Sequence, residues 1–295
     1  MSVSKLSACK NILLNSGHQI PLIGLGTYLI TEPETVHSAL DYALGAGYRH
    51  IDTATCYKNE LQIGNALKEL LPKHNLSRED IFITSKFIPD PIYEDYVLDI
   101  VETSVRKLQV DFIDLYLVHW PAAKGISMHS PENAKFRDVA WKGLVGAQKK
   151  GLLRSIGVSN YLPRHLDELL ANSYGIPPAV NQVEWHPHHH SPELLEYCEK
   201  KNIFLQAYSS FGGGTGFLTQ DPVVKDVAKR LGKKESQVLL RWATQKNIGV
   251  IPKARSKQHI EDNFALDFDI PEEDMKTLSN MEHREKYSWN PDPIN

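Results

Sequence analysis

The chain has 295 residues, 41% of them hydrophobic and 23% charged, a balance that excludes a disordered polar chain and suits a packed core. A formal net charge of -3 gives no global attraction to nucleic acid or to an anionic membrane, and no apolar run approaches the roughly 20 residues needed to cross a bilayer. The three cysteines, Cys9, Cys56 and Cys198, are widely spaced and odd in number, which excludes a disulfide framework or zinc ribbon and fits a reducing, cytoplasmic setting. Met1 to Lys10 is polar and lacks the apolar centre of a secretion signal.

In chain order, Ile12, Leu13 and Leu14 before Asn15-Ser16-Gly17 predict a hairpin that caps the floor of a barrel. Strand patterns then recur at Leu22–Gly26, Arg49–Ala54, Ile81–Lys86, Ile113–His119, Ser155–Ser159, Val180–Trp185, Phe204–Ser209 and Gly249–Lys253. Several are nearly continuous apolar runs, as expected for strands covered by helices. Helical stripes lie between them: Val36, Leu40, Ala43 and Leu44; Ile63, Leu67 and Leu70; Val97, Ile100, Val101, Val105 and Leu108; and later Val238, Leu239, Trp242 and Ala243. Gly47, Gly151, Gly175 and Gly232 sit where such helices should stop.

Eight strand–helix alternations without a linker predict an α/β chain forming one closed (β/α)8 TIM barrel, a single domain over residues 1–295, with variable loops over its C-terminal face. An open doubly wound sheet would look similar locally. It is disfavoured because Gly24-Leu25-Gly26-Thr27 lacks the third glycine of a dinucleotide fingerprint, and because the polar candidates come from several strands.

Those candidates are Asp52, Lys86 and His119, each at the end of a predicted strand, and Tyr57, five residues past Asp52. A barrel gathers its chemistry at the carboxyl ends of its strands. A buried lysine needs a partner, and Asp52 is the natural one. An ammonium beside a phenol should lower the phenol's pKa, letting Tyr57 act as acid and base near neutrality. His119 should hydrogen-bond and orient a carbonyl oxygen. None of these groups supplies reducing electrons, so a cofactor must provide hydride.

The run Gly47-Tyr48-Arg49-His50-Ile51-Asp52-Thr53-Ala54, with Tyr57, Glu60 and Gly64, resembles the first signature of the aldo-keto reductases. Leu115-Tyr116-Leu117-Val118-His119-Trp120-Pro121, Gly157-Val158-Ser159-Asn160, Asn181-Gln182-Val183-Glu184 and Ile251-Pro252-Lys253 match further family motifs in the family's order. The resemblance covers residues 10 to 280. It implies a monomeric, cytoplasmic barrel that reduces aldehydes and ketones, small-molecule carbonyl substrates, with NADPH. Tyr57 would be the proton donor, tuned by Lys86 and Asp52, with His119 orienting the carbonyl.

By the same resemblance, Gly26, Thr27 and Asp52 line the cofactor cleft, and Ser159, Asn160 and Gln182 hold the nicotinamide carboxamide. Tyr208 stacks on the nicotinamide ring, while Ser209 and the loop Gly212-Gly213-Gly214-Thr215-Gly216 approach the pyrophosphate. Lys253, followed by Ala254 and Arg255, meets the 2′-phosphate. Asp262 and Asn263 approach the adenine. Relatives usually carry serine where this chain has Ala254 and arginine where it has His259, so NADPH preference should be weaker here unless Arg255 and Ser256 compensate. If His259 meets the phosphate, affinity should fall as pH rises through its titration.

The implied substrate pocket is lined by Tyr28, Tyr57, Phe87, Ile88, His119 and Trp120. Relatives often have tryptophan at the positions of Tyr28 and Ile88, which predicts a differently shaped pocket. Ala122–Pro131 should overhang the site, and Tyr287–Asn295 should fold over the barrel mouth. His186-Pro187-His188-His189-His190 is read as a solvated loop and not a metal site, since adjacent histidines in an extended loop diverge. Cys56 is read as a small packing residue within reach of thiol reagents. Two rival functions are a non-enzymatic NADP(H)-binding barrel acting as a redox-sensing or structural subunit, which would not need Tyr57, and a metal-dependent barrel hydrolase, which lacks a ligand cluster.

Overall fold

The structure is a computed structural model and describes residues 10–90, 96–214 and 216–295. Cys9 and Thr215 lie outside those residues. The antiparallel strands β1 (Asn11–Leu13) and β2 (Gln19–Pro21) form the expected hairpin, with Ile12 opposite Ile20. Leu14 and Ile20 join Phe82, Leu115, Leu117, Ala179 and Val180 in one buried cluster. This cluster plugs the amino-terminal end of the sheet.

The remaining elements alternate: β3 (Leu25–Gly26), α1 (Pro33–Ala46), β4 (His50–Asp52), α2 (Glu60–Lys73), β5 (Phe82–Phe87), α3 (Tyr96–Leu108), β6 (Ile113–Val118), α4 (Glu132–Lys149) and β7 (Leu153–Ser159). Then come α5 (Pro163–Ala171), β8 (Val180–Glu184), α6 (Pro192–Lys200), β9 (Phe204–Tyr208), α7 (Phe217–Gln220), α8 (Pro222–Leu231), α9 (Glu235–Thr244), β10 (Gly249–Val250), α10 (Lys257–Phe264) and α11 (Glu272–Ser279). Strands β3 to β10 form one eight-stranded sheet in strict sequence order, every neighbouring pair parallel. Parallel bridges Ile23↔Val250 and Gly26↔Lys253 join its two edges and close the barrel.

The seam explains Gly26. A Cβ there would stand 2.5 Å from the Ile251 carbonyl oxygen, so only glycine lets the first and last strands meet. It also explains why β3 and β10 are shorter than the predicted Leu22–Gly26 and Gly249–Lys253. Pro252 has no N–H to give the ladder, and the pairing breaks into isolated bridges.

The stripes read from the sequence face the core. Val36, Leu40, Ala43 and Leu44, then Ile63, Leu67 and Leu70, then Val238, Leu239, Trp242 and Ala243 are all buried. Prolines open α1, α5, α6 and α8, where a missing N–H costs nothing. Left-handed Gly47 and Gly232 close α1 and α8. Gly175 is different: α5 already ends at Ala171, and Gly175 lies in the turn beyond.

Candidate active site

Three strands and one turn deliver the central side chains. Side chains alternate along a strand, so Phe82, Thr84 and Lys86 of β5 point into the barrel. Lys86 Nζ donates to Asp52 Oδ1 at 2.6 Å and to the Thr53 carbonyl at 2.8 Å, with the two side chains only 0% and 2% exposed. The Tyr57 hydroxyl lies 3.4 Å from the same Nζ. Tyr57 comes from a 3-10 turn, Thr55–Tyr57, just after β4. His119 follows β6, and its ring meets that of Tyr57 edge-on at 5.8 Å. Asp52, Tyr57, Lys86 and His119, expected at one place, are at one place.

The electrostatics differ from expectation in one respect. Burial first, then the Asp52 charge, holds the Tyr57 phenol well above its usual range. From the sequence, Lys86 is expected to lower it. The ammonium is shared with Asp52 at 2.6 Å, whose carboxylate repels a phenolate, so the ammonium's 3.4 Å contact with Tyr57 does not outweigh burial. Tyr57 is therefore a stable proton carrier, not a group poised near neutrality. Burial, and then the Lys86 charge, pushes His119 down to about 3, so its ring is neutral. Burial also raises the Asp52 carboxyl, against the pull of Lys86 and Gln182.

Sequence reasoning overlooked Asn59. This fully buried amide donates to the Thr27 carbonyl at 3.0 Å and to the Ile30 carbonyl at 2.8 Å, and it accepts from Thr53 Oγ1 at 2.6 Å. It ties the loop after β3 to the turn that carries Tyr57. Thr27, expected at the cofactor, donates its hydroxyl to the Asp52 carbonyl at 2.9 Å, and Gly26 serves the seam.

A second polar group lies on the neighbouring strands. Gln182 donates to Asp52 Oδ2 and to Gln206 Oε1, both at 2.8 Å. Ser159 Oγ donates to the Gln182 carbonyl at 2.7 Å, and Asn160 Nδ2 to Ser159 Oγ at 3.0 Å. Tyr208 donates its hydroxyl to Asn160 Oδ1 at 2.7 Å. Ser159, Asn160, Gln182 and Tyr208 thus form one continuous network joined to Asp52.

The third group is cationic. Lys253 and Arg255 are exposed and lack a carboxylate partner among the described residues; Arg255 donates to the Leu29 carbonyl instead. Burial, and then Arg255, pulls the Lys253 pKa down. Both stand just before α10, whose N-cap Ser256 accepts from the His259 N–H at 3.3 Å. His259 is exposed on the first turn, and Ala254 is buried. Asn263 is buried too, and Asp262 is held by Lys234 and Gln258. In the loop after β9, Gly212, Gly213 and Gly214 all have positive φ, and Ser209 does as well. The N–H groups of Gly213 and Gly214 have no partner among the described residues. Cations without a carboxylate partner, a helix N-terminus and backbone N–H groups without a partner, all among the described residues, fit a polyanionic ligand.

Around the mouth, Tyr28 is 52% exposed with its ring 5.1 Å from that of Tyr57, and Ile88 and Trp120 are half-buried. Trp289 of the C-terminal segment reaches Trp120 edge-on at 6.1 Å. Phe87 does not line this mouth. Because Lys86 points inward, Phe87 points outward, where it is buried under α3 against Tyr96 and Tyr116.

The histidine run is not a solvated loop. His186 and His188 are buried, the first 3.0 Å from Glu184 Oε1, the second 2.8 Å from the Tyr287 hydroxyl and 3.2 Å from Asp221 Oδ2. No group of metal-ligating side chains occurs among the described residues. Glu184, at the end of β8, is the centre of this region. It accepts from Lys286 Nζ at 2.6 Å and from the Tyr287 and Ser288 N–H groups at 2.6 and 3.0 Å. Burial would raise this carboxyl, but His186, Lys286 and Tyr287 more than offset it and hold it at about 2. The C-terminal segment is thereby strapped across the mouth. Tyr287 packs on Gly212, where a Cβ would come within 2.9 Å of its ring.

The family model for the aldo/keto reductase family matches residues 22–283. An aldo-keto reductase of Mycolicibacterium smegmatis is 40% identical over 283 residues, covering 96% of each chain. Among solved structures, the aldose reductase from Schistosoma japonicum superposes with a TM-score of 0.84 at 34% identity, covering 94% of this chain and 93% of that one. The Bombyx mori aldo-keto reductase in complex with NADP gives a TM-score of 0.84 at 33% identity over 96% of each chain. The chain belongs to the aldo/keto reductase family of oxidoreductases.

Proposed function

We propose that this protein is an NADPH-dependent reductase of aldehydes or ketones, acting as a single barrel domain and a cytoplasmic monomer, with Tyr57 as its proton donor. The observation that carries the reading is the buried Lys86–Asp52 pair with Tyr57 and His119 gathered over it. The cations Lys253 and Arg255 before α10, with the Gly213 and Gly214 N–H groups that have no partner among the described residues, fit the phosphates of the cofactor. Ser159, Asn160 and Gln182 would hold its carboxamide, and Tyr208 would back its ring.

When bound, NADPH supplies the hydride that reduces the carbonyl carbon. His119, neutral, donates a hydrogen bond to the carbonyl oxygen and fixes its direction. Tyr57 gives that oxygen its proton. The phenolate left behind is stabilised by Lys86 at 3.4 Å and takes a new proton from water. Asp52 keeps the lysine charged and in place inside the barrel. The exposed apolar groups Tyr28, Met128 and Trp289 surround an open mouth, so an uncharged or aromatic carbonyl compound is the substrate this mouth suits.

The test is loss of NADPH absorbance with a reactive aromatic aldehyde, compared in the native protein and Tyr57→Phe. Turnover that collapses in the variant, with NADPH still bound, supports the reading. Binding of NADPH without turnover of any aldehyde or ketone by the native protein would favour a non-enzymatic cofactor-binding role.

A further inference from the structure

Cys56 sits beside the proton donor, and its thiol does something the reductase reading does not use. Cys56 Sγ lies 3.6 Å from His119 Nδ1. This is the one side-chain hydrogen bond made by the His119 ring among the described residues, and Nε2 has no partner there. The backbone at His119 is fixed independently. Its N–H donates to the Phe87 carbonyl at 2.8 Å, and its carbonyl accepts from Asn160 Nδ2 at 3.0 Å. The backbone does not decide which ring nitrogen bears the proton.

That choice matters. A neutral imidazole has one N–H donor and one lone pair, and the bond made by one nitrogen sets the state of the other. If Nδ1 carried the proton, Nε2 would turn a lone pair toward a carbonyl oxygen, and the two would repel. If Nδ1 accepts from the Cys56 S–H, Nε2 bears the proton and donates to the oxygen.

We infer that Cys56 is a positioning residue that donates its S–H to His119 Nδ1 and so fixes the Nε2–H tautomer that binds the substrate carbonyl. Cys56 touches no reacting atom and acts through His119. Cys56 as a residue is exposed, but its thiol is partly shielded against His119, which raises its pKa and keeps the S–H proton in place, and the low pKa of His119 keeps the ring neutral. The inference rests on the reductase reading for its catalytic consequence, but the tautomer itself is observable without turnover.

The experiment is 15N NMR of the histidine-labelled protein with NADP bound, the His119 signals being assigned by their loss in His119→Gln. The expected native spectrum has Nε2 protonated and Nδ1 bare, with the same pattern in Cys56→Ser, whose hydroxyl also donates. In Cys56→Ala the Nδ1–H form should become populated, and kcat should fall about three- to tenfold while the NADPH Kd stays unchanged, the scale expected for one weak hydrogen bond. Cys56→Ser should stay within about twofold of native kcat on the same reasoning. A protonated Nδ1 in the native protein overturns the inference. So does a Cys56→Ala variant in which the tautomer or kcat, either one, is unchanged. A native protein that shows the Nε2–H tautomer but reduces no carbonyl would defeat the reductase reading and leave the tautomer assignment standing.

Discussion

Replacing Lys86 by methionine separates the structural role of one side chain, stability, from the catalytic role proposed for it. The side chain is fully buried, and its ammonium neutralises an Asp52 carboxylate that is 2% exposed. Removing one member of a buried pair strands the other, at a cost of about 3–5 kcal/mol. Gln182 still donates to Asp52 Oδ2 at 2.8 Å, which holds the cost near the lower end, about 3 kcal/mol. Unfolding entropy of about 2.1 cal/mol/K per residue over 295 residues gives about 0.6 kcal/mol per degree, so Lys86→Met should melt about 5 °C below native. Adding Asp52→Asn removes the stranded charge and should restore most of that loss, because a buried pair replaced as a unit is close to neutral. Activity should behave oppositely. With no ammonium beside Tyr57, proton donation leaves an unsupported phenolate, and kcat should fall about 100-fold or more in the single and the double variant alike. Thermal melting and NADPH turnover measure the two effects on the same samples. A single variant that melts within a degree of native, or a double variant that regains activity, would refute the reasoning.

The same geometry sets other expectations. The raised Tyr57 pKa and the depressed His119 pKa of about 3 leave neither group titrating near neutrality, so kcat for reduction should stay flat from mildly acidic to mildly alkaline pH, whereas alcohol oxidation, which needs the phenolate, should speed up as pH rises; an apparent pKa between about 7 and 9 in the reduction profile would contradict this. His259→Arg places a permanent bidentate cation on the first turn of α10, and should tighten NADPH relative to NADH by about five- to thirtyfold in a fluorescence titration. Phe87→Ala should cost about 3–5 kcal/mol of stability with KM for an aldehyde unchanged, while Tyr28→Ala should shift KM and leave the melting temperature alone. Glu184→Ala strands Lys286 and the Tyr287 and Ser288 N–H groups. It should cost about 3 kcal/mol and raise amide exchange in residues 284–295 well above that in β8.

What could be read in advance, and what could not, divides along the range of the interactions. The strands and their order were legible because buried parallel strands write themselves as apolar runs and helices as stripes. The clustering of Asp52, Tyr57, Lys86 and His119 was legible because each stands at a strand end or in the turn after it. The face of Phe87 was legible too, through the alternation that turns Lys86 inward, although the family resemblance implies it as a pocket wall. The Lys86–Asp52 pairing was legible, but the direction of the Tyr57 shift was not, because the depth of burial that governs it, and after it the Asp52 charge, leaves no mark in the local sequence. The strap is the part with no local signal. Glu184 meets Lys286 across 102 residues of chain, and His188 meets Tyr287 across 99. Neither contact alters the periodicity of its own segment. A histidine run and an acidic strand end look like surface until a distant segment covers them, and burial then converts them into the fastening of the barrel mouth. The same fastening sets Tyr287 against Gly212, so the loop expected to hold the cofactor phosphates is backed by residues whose role no pattern in the chain announces.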